Sequence, residues 1–267
     1  MPTLLSHLDI IEEIFQKPRS GLITDVDGTI SPIAPTPQQA KVSPVCRRHL
    51  AILSRRLALV AAISGRPAAE VGQMVGISDM VYIGNHGLEK LVQGRLELPQ
   101  GARDYAGEVR AAVDELGRLL RATAGISIEN KGVTATIHYR LSPDPELARQ
   151  EIIAAIEKSG PAGRLRIKPG KMSLNLLPPL ELDKGTAVAG LIKEYNLQSG
   201  LYLGDDYTDI DAFRAIHNAS EGSDFKGYAI AVTSREMPAG LVGEADFTLE
   251  GIAEVERFLG WLARKTG

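Results

Sequence analysis

Two carboxylates separated by a single residue, Asp25 and Asp27, stand where the apolar run of GLITDVDGTI ends, with Gly28 and Thr29 directly after them. A carboxylate that attacks phosphorus needs cations to cancel charge, and a second acid beside it can protonate the leaving oxygen and then activate water. Taken alone, the pair reads equally well as a helix cap or a turn, where Asp and Gly are common. Three further motifs supply complementary groups. AAISGRP puts the Ser64 hydroxyl and the Gly65 backbone where a phosphate oxygen can be held, although Ser-Gly is also ordinary turn chemistry. ELDKGTAV puts Lys184 in the first turn of a helix, where the dipole disfavours a cation. A phosphate would explain that placement, and a solvated lysine is the plain alternative. In LYLGDDYTDIDAF, Asp205, Asp206 and Asp209 crowd one turn, more acids than capping requires, and their repulsion calls for a hard cation.

Such groups need a frame that brings distant strand ends together. Short apolar runs at 22–26, 58–63, 80–83, 201–203 and 228–232 alternate with amphipathic stretches such as 44–56, 184–195 and 208–217. Runs apolar on both faces, separated by helices, predict a parallel sheet covered on both sides. Ligands bind beyond the carboxyl ends of such strands, where the four motifs lie. The middle of the chain reads differently. A long helix is expected over 101–123, strands near 126–129 and 133–140, a helix near 144–158, and strands near 164–168 and 172–177. Val133, Ala135, Ile137 and Tyr139 alternate with Thr134, Thr136, His138 and Arg140, which predicts a sheet with one covered and one open face. The expectation is an α/β core of residues 1–100 and 183–267, with an α+β lobe of residues 101–182 inserted through short hinges near 99–101 and 179–182.

Composition sets the limits. The 267 residues suffice for a core and a second lobe, and 30 basic against 33 acidic residues give no case for nucleic acid or an acidic membrane. The single cysteine, Cys46, excludes an internal disulfide framework and fits a reducing, cytoplasmic setting; in a helix opened by Ser43-Pro44 it reads as a packing residue, with a reactive thiol as the alternative. Leu4, Leu8, Ile11 and Phe15 predict an amphipathic N-terminal helix, not a signal peptide.

DVDGT, Ser64, Lys184 and GDDYTD, in that order at strand ends, resemble the haloacid dehalogenase superfamily of phosphotransferases. The resemblance implies a Rossmann-like core with an inserted cap, Asp25 as the nucleophile that forms an aspartyl-phosphate, and Asp27 as general acid and base. It also implies Ser64 and Lys184 on the phosphoryl oxygens, and magnesium held by Asp25, the Asp27 carbonyl and Asp205, supported by Asp209 or Asp206. Gly28, Thr29, Gly65 and Arg66 are expected to shape the phosphate side of the site. GNHGLE, IENKGVTATIHYR, KPGKMSLNLLPP and DKGTAV are similar to the trehalose-6-phosphate phosphatase family over almost the whole chain. This second resemblance implies substrate contacts from Asn85 and His86, and from Glu129, Lys131 and Lys171 of the cap. A solvated strand end is the plain reading of Glu129 and Lys131, and a sheet-surface role that of His138 and Arg140. The resemblance further implies a monomer acting on a small sugar phosphate, with a trehalose-phosphate synthase as a partner that hands over substrate.

One stretch departs from the family. SLNLLP has Asn175 where the family carries an acid and Leu177 where it carries arginine. An amide accepts fewer hydrogen bonds than a carboxylate, and losing one charge-assisted bond to the sugar would cost ~1.5–3 kcal/mol. Another sugar or sugar-glycerate phosphate is therefore the alternative substrate. A non-catalytic sugar-phosphate-binding module is an alternative of another class, and a glycosidase using Asp25 and Asp27 is disfavoured by their close spacing.

Overall fold

Short strands that are apolar on both faces must be covered on both faces, and that requirement organises most of the chain. In this computed structural model the described residues are 1–99, 101–170, 172–222, 224–235 and 237–267, with the backbone alone at position 37. In chain order the elements are α1 (Leu8–Phe15), β1 (Ser20–Thr24), α2 (Pro44–Leu53), β2 (Leu59–Ile63), α3 (Ala68–Val75), β3 (Val81–Gly84), β4 (Glu89–Val92) and β5 (Arg95–Glu97). Then come α4 (Ala106–Leu119), β6 (Ser127–Asn130), β7 (Ala135–His138), α5 (Pro145–Lys158), β8 (Arg166–Gly170) and β9 (Ser173–Leu177). Last are α6 (Lys184–Glu194), β10 (Ser199–Gly204), α7 (Asp209–Gly222), β11 (Lys226–Thr233), β12 (Phe247–Glu250) and α8 (Gly251–Lys265). They form two units, Met1–Glu97 with Leu182–Gly267, and Leu98–Glu181.

The first unit holds a sheet of order β12-β11-β10-β1-β2-β3-β4-β5. Its strands from β12 to β3 run parallel, and β4 and β5 add an antiparallel hairpin at one edge. Alternation along each strand splits the apolar residues between the faces. Leu22, Val60, Ala62, Leu201 and Leu203 pack with α1, α2, α3 and α8, whereas Ile23, Ala61, Ile63, Tyr202 and Ala231 pack with α6 and α7. Each buried leucine or isoleucine is worth about 1.5–3 kcal/mol relative to exposure, so a slip of register that turned them to the opposite face would be strongly resisted. This is the expected α/β architecture.

Two departures have local causes. The β4–β5 hairpin was not expected because its strands are short and charged at an edge, where no apolar run marks them. Its turn is nonetheless built from Gln93 and Gly94, both at positive φ, +49° and +78°. The helix expected over 101–123 is shorter, because Ala102–Tyr105 winds as a 3-10 turn before α4 begins.

The second unit is a four-stranded antiparallel sheet of order β6-β7-β9-β8 with two helices, the inserted α+β lobe. Ala135, Ile137, Leu174 and Leu176 pack against Val109, Ala112 and Leu116 of α4 and Ile152 and Ile156 of α5. The opposite face is not simply open as the alternation suggested: Thr134, Thr136 and Asn175 are buried. Thr136 and Asn175 face each other across β7 and β9, and the Thr136 hydroxyl donates to Asn175 Oδ1 at 2.8 Å, so these two polar groups satisfy one another.

Candidate active site

The carboxyl ends of β1, β2 and β10 are adjacent in the sheet, which gathers three of the four motifs into one place, and the start of α6 brings the fourth. Asp25 directly follows β1, and its backbone N–H donates to Leu203 O of β10 at 2.8 Å, so the residue is held by the ladder as the strand runs out. The next residues curl: Ile30 and Ser31 N–H both donate to Val26 O, and Gly28 N–H donates to Ser31 O at 2.7 Å. Gly28 takes φ +94°, and a Cβ there would lie 1.8 Å from Asp205 Oδ2. Only glycine lets the loop come this close to that carboxylate.

Lys184 owes its position to α6. Asp183 caps the helix by accepting from Thr186 N–H at 2.8 Å, while the Thr186 hydroxyl accepts from Asp183 N–H at 2.8 Å. This reciprocal cap fixes the first turn. The Lys184 ammonium, 2 % exposed, donates to Asp25 Oδ1 and to Asp209 Oδ1, each at 2.6 Å. Asp209 also accepts from the Tyr202 hydroxyl at 2.6 Å and from the N–H groups of Asp205 and Asp206 at 2.9 Å. Burial is the largest influence on Asp25 and pushes its carboxyl well above the usual range; Lys184 pulls it down, and Asp209 and Asp205 push it up again. Lys184 is raised despite its burial, because Asp209 and Asp25 both favour the ammonium.

Carboxylate oxygens of Asp25, Asp205 and Asp209 all lie within 4.8 Å of one another. Asp25 and Asp205 offer hard oxygen donors for magnesium or a similar divalent cation, whose charge would also reverse the upward push on Asp25, while Asp209, its oxygens already accepting from Lys184, Tyr202 and two backbone N–H groups, braces the cluster. Asp25 and Asp205 are both buried with their oxygens close together, so the residues present fit such an ion. The Asp206 carboxylate is not part of this group among the described residues.

Asp27 is placed differently. Its carboxylate takes a two-pronged ion pair from the Arg66 guanidinium, Nε to Oδ2 at 2.7 Å and Nη2 to Oδ1 at 3.0 Å. Arg66 is itself buried and is held on its far side by Glu70, one turn along α3. The Arg66 backbone N–H donates to Ser64 Oγ at 3.1 Å, and Arg66 O accepts from Asn85 N–H at 2.8 Å. A single residue thus ties the Ser64 turn, Asp27 and the 85–87 turn together. In that turn Asn85 and His86 both adopt positive φ, +49° and +59°, a strained pair for residues with side chains. Glu89 holds Asn85 there, accepting from its Nδ2 at 2.8 Å and from Ala68 N–H at 2.7 Å. The His86 ring lies over Gly65, where a Cβ would come within 2.6 Å of it. Thr29 is fully buried in the loop after Asp27.

The remaining sequence-identified residues belong to the second unit. Glu129 Oε2 is 3.1 Å from His138 Nε2 and 3.7 Å from Lys131 Nζ, which makes a charged cluster on one face of the sheet. Asn175 accepts from Thr136 and donates from Nδ2 to Lys168 O at 3.3 Å, and Leu177 is buried. Lys171 lies outside the described residues. Sequence reasoning missed Tyr202, Glu70 and Glu89. The first left a signal, a lone hydroxyl inside the run LYLG; the acids left none, because their roles depend on pairings across the fold.

Comparison with known proteins accords with this geometry. A family model of trehalose-phosphatases matches residues 23–241, which include every motif above. The trehalose-phosphate phosphatase of Mycobacterium marinum is 31% identical over 258 residues, 92% of this chain and 62% of that protein. The Zea mays protein trehalose 6-phosphate phosphatase RA3 is 28% identical over 287 residues, 100% of this chain and 76% of that protein. Across the relatives it matches, the chain spans from 20% to 76% of their length. The solved C-terminal domain of Candida albicans trehalose-6-phosphate phosphatase superposes with a TM-score of 0.80 at 23% identity, covering 98% of each chain, and so shares the fold. No helix among the described residues is long and apolar enough to cross a membrane. With the family match running over well over half its length, the chain belongs to the trehalose-phosphatase family.

Proposed function

We propose that the chain is a magnesium-dependent phosphatase that hydrolyses trehalose 6-phosphate to trehalose and phosphate through an aspartyl-phosphate on Asp25. The observation that carries the reading is the Lys184 ammonium held between Asp25 and Asp209, with Asp205 in the same cluster, in a chain of this family. An Asp25 oxygen forms a bond to phosphorus as the phosphorus–sugar oxygen bond breaks, and Asp27, protonated on one oxygen while the other stays with Arg66, gives that proton to the departing sugar oxygen. Asp27 then takes a proton from water, whose oxygen attacks phosphorus; the bond to Asp25 breaks, and phosphate leaves. Lys184 and the Ser64 hydroxyl hold phosphoryl oxygens during both displacements, which is the positioning and charge neutralisation that phosphoryl transfer demands. Asp25, Asp205 and the Asp27 carbonyl would hold magnesium, which would supply further neutralisation of the phosphoryl charge.

Sugar recognition is assigned to Glu129 and Lys131, supported by their pairing on one sheet face, and to Lys171 from the sequence alone. A second reading, another phosphorylated sugar, is favoured by Asn175, whose amide is engaged with Thr136 and Lys168 where the family carries an acid. The buried lone thiol favours a reducing compartment, and we place the enzyme in the cytoplasm, as a monomer supplied by a trehalose-phosphate synthase. Phosphate release from trehalose 6-phosphate, glucose 6-phosphate and other sugar phosphates, with magnesium and with EDTA, tests the reading. Preferred, metal-dependent hydrolysis of trehalose 6-phosphate that Asp25→Asn abolishes is expected. Equal rates on glucose 6-phosphate would refute the substrate, and metal-independent release would refute the mechanism.

A further inference from the structure

Tyr202 has the largest of the fully buried side chains, on a strand whose other residues are apolar or small. Its ring packs edge-on to Phe213 of α7, the centroids 5.9 Å apart. A phenylalanine would fill the same space. Burying a hydroxyl is costly unless a partner accepts from it, and here the partner is Asp209 Oδ1, at 2.6 Å.

That acceptor is central to the site. An ionised carboxylate offers about four acceptor positions. Asp209 gives Oδ2 to the N–H groups of Asp205 and Asp206, and Oδ1 to the Lys184 ammonium and the Tyr202 hydroxyl. The two backbone bonds fix one oxygen against the turn. The other would be positioned by Lys184 alone, the very group it has to aim, were Tyr202 not holding it from the sheet side. The carboxylate oxygen can only accept, so the phenolic hydroxyl is the donor of this bond.

We propose that Tyr202 is a positioning residue for phosphoryl transfer: by holding Asp209 Oδ1 it fixes the carboxylate that aims the Lys184 ammonium at the phosphoryl group on Asp25. The inference rests on the reading of Asp25 as nucleophile. It explains why a residue three positions before the acid turn carries a hydroxyl into an otherwise apolar layer.

Tyr202→Phe removes the hydroxyl and keeps the ring. The expected result is a fall in kcat of about tenfold, the size of one lost hydrogen bond to a charged group, with KM changed by less than about twofold. Inhibition by orthovanadate, which mimics the transferring phosphoryl group, weakens in step with kcat, while the melting temperature falls by only a few degrees. Tyr202→Leu, which also removes the ring, loses stability further, yet per folded molecule its kcat matches that of Tyr202→Phe. Unchanged kcat and vanadate inhibition in Tyr202→Phe would overturn the inference, as would a loss of activity that merely follows the folded fraction. A wild-type protein that releases phosphate while Tyr202→Phe equals it refutes this inference alone; a wild-type protein that releases none refutes the reading beneath it.

Discussion

Arg66→Ala should separate the two halves of the chemistry. The guanidinium makes two charge-assisted hydrogen bonds to Asp27, at 2.7 and 3.0 Å, and Glu70 keeps it in place. A hydrogen bond to a charged group is worth about 1.5–3 kcal/mol. The Asp27 side chain is 35% exposed, so water replaces part of what is lost and the low end of that range applies. Since about 1.4 kcal/mol is tenfold in rate, aiming Asp27 badly should cost roughly tenfold wherever its proton is needed. The sugar oxygen of a sugar phosphate is a poor leaving group and needs that proton; p-nitrophenolate is a good one and hardly does. Steady-state rates on trehalose 6-phosphate and p-nitrophenyl phosphate therefore diverge in Arg66→Ala, the first falling about tenfold more than the second. Arg66→Lys, which keeps the charge but not the fork, should lie between wild type and Arg66→Ala. Equal losses on both substrates would refute the assignment of Asp27 as the proton carrier positioned by Arg66, and would make Arg66 a direct phosphate ligand.

Lys184→Met strips Asp25 and Asp209 of their shared cation; with both acids buried, unfolding in urea should show a loss of about 3–5 kcal/mol, largely recovered on adding magnesium, with phosphatase activity abolished. Burial pushes the Cys46 thiol up to about 12, so at pH 8 it is protonated and should ignore Ellman's reagent until guanidinium unfolds the chain; rapid stoichiometric reaction of the native protein would contradict its place in the core. Asn175→Glu buries a carboxylate beside Thr136 and gives up the donor to Lys168 O, so it should destabilise by about 1–3 kcal/mol in urea without raising kcat/KM on trehalose 6-phosphate; a gain in kcat/KM without that loss would show the side chain free to meet the sugar.

Most of the residues proposed as catalytic were legible because they sit at a strand end. A parallel strand buried on both faces writes itself as an apolar run, and the first polar residue after it marks the site, as Asp25 follows β1 and Ser64 follows β2. The helix start that carries Lys184 was legible for the same reason, since its cap is written in Asp183 and Thr186, three residues apart. Pairings across the fold were not. Nothing in ISGRP says that Arg66 will reach back 39 positions to Asp27, because that contact exists only once β1 and β2 lie side by side. The β4–β5 hairpin was lost to composition, its strands too short and charged to stand out from a loop.

The same distinction explains why chemistry is better determined than substrate. Phosphoryl transfer is set by motifs whose geometry the parallel sheet enforces, so residue type at a strand end nearly dictates role. The residues proposed for sugar recognition lie on a second sheet, where role depends on which neighbour a side chain faces. Glu129 meets His138 across β6 and β7 and Lys131 two residues further along the chain, whereas Asn175, two strands from Glu129, is spent on Thr136 and the β8 backbone. Both read in sequence as polar residues alternating with apolar ones. Only cross-strand register separates a group committed to its neighbours from a charged cluster able to meet hydroxyls, and register between non-consecutive strands is a property of the folded sheet.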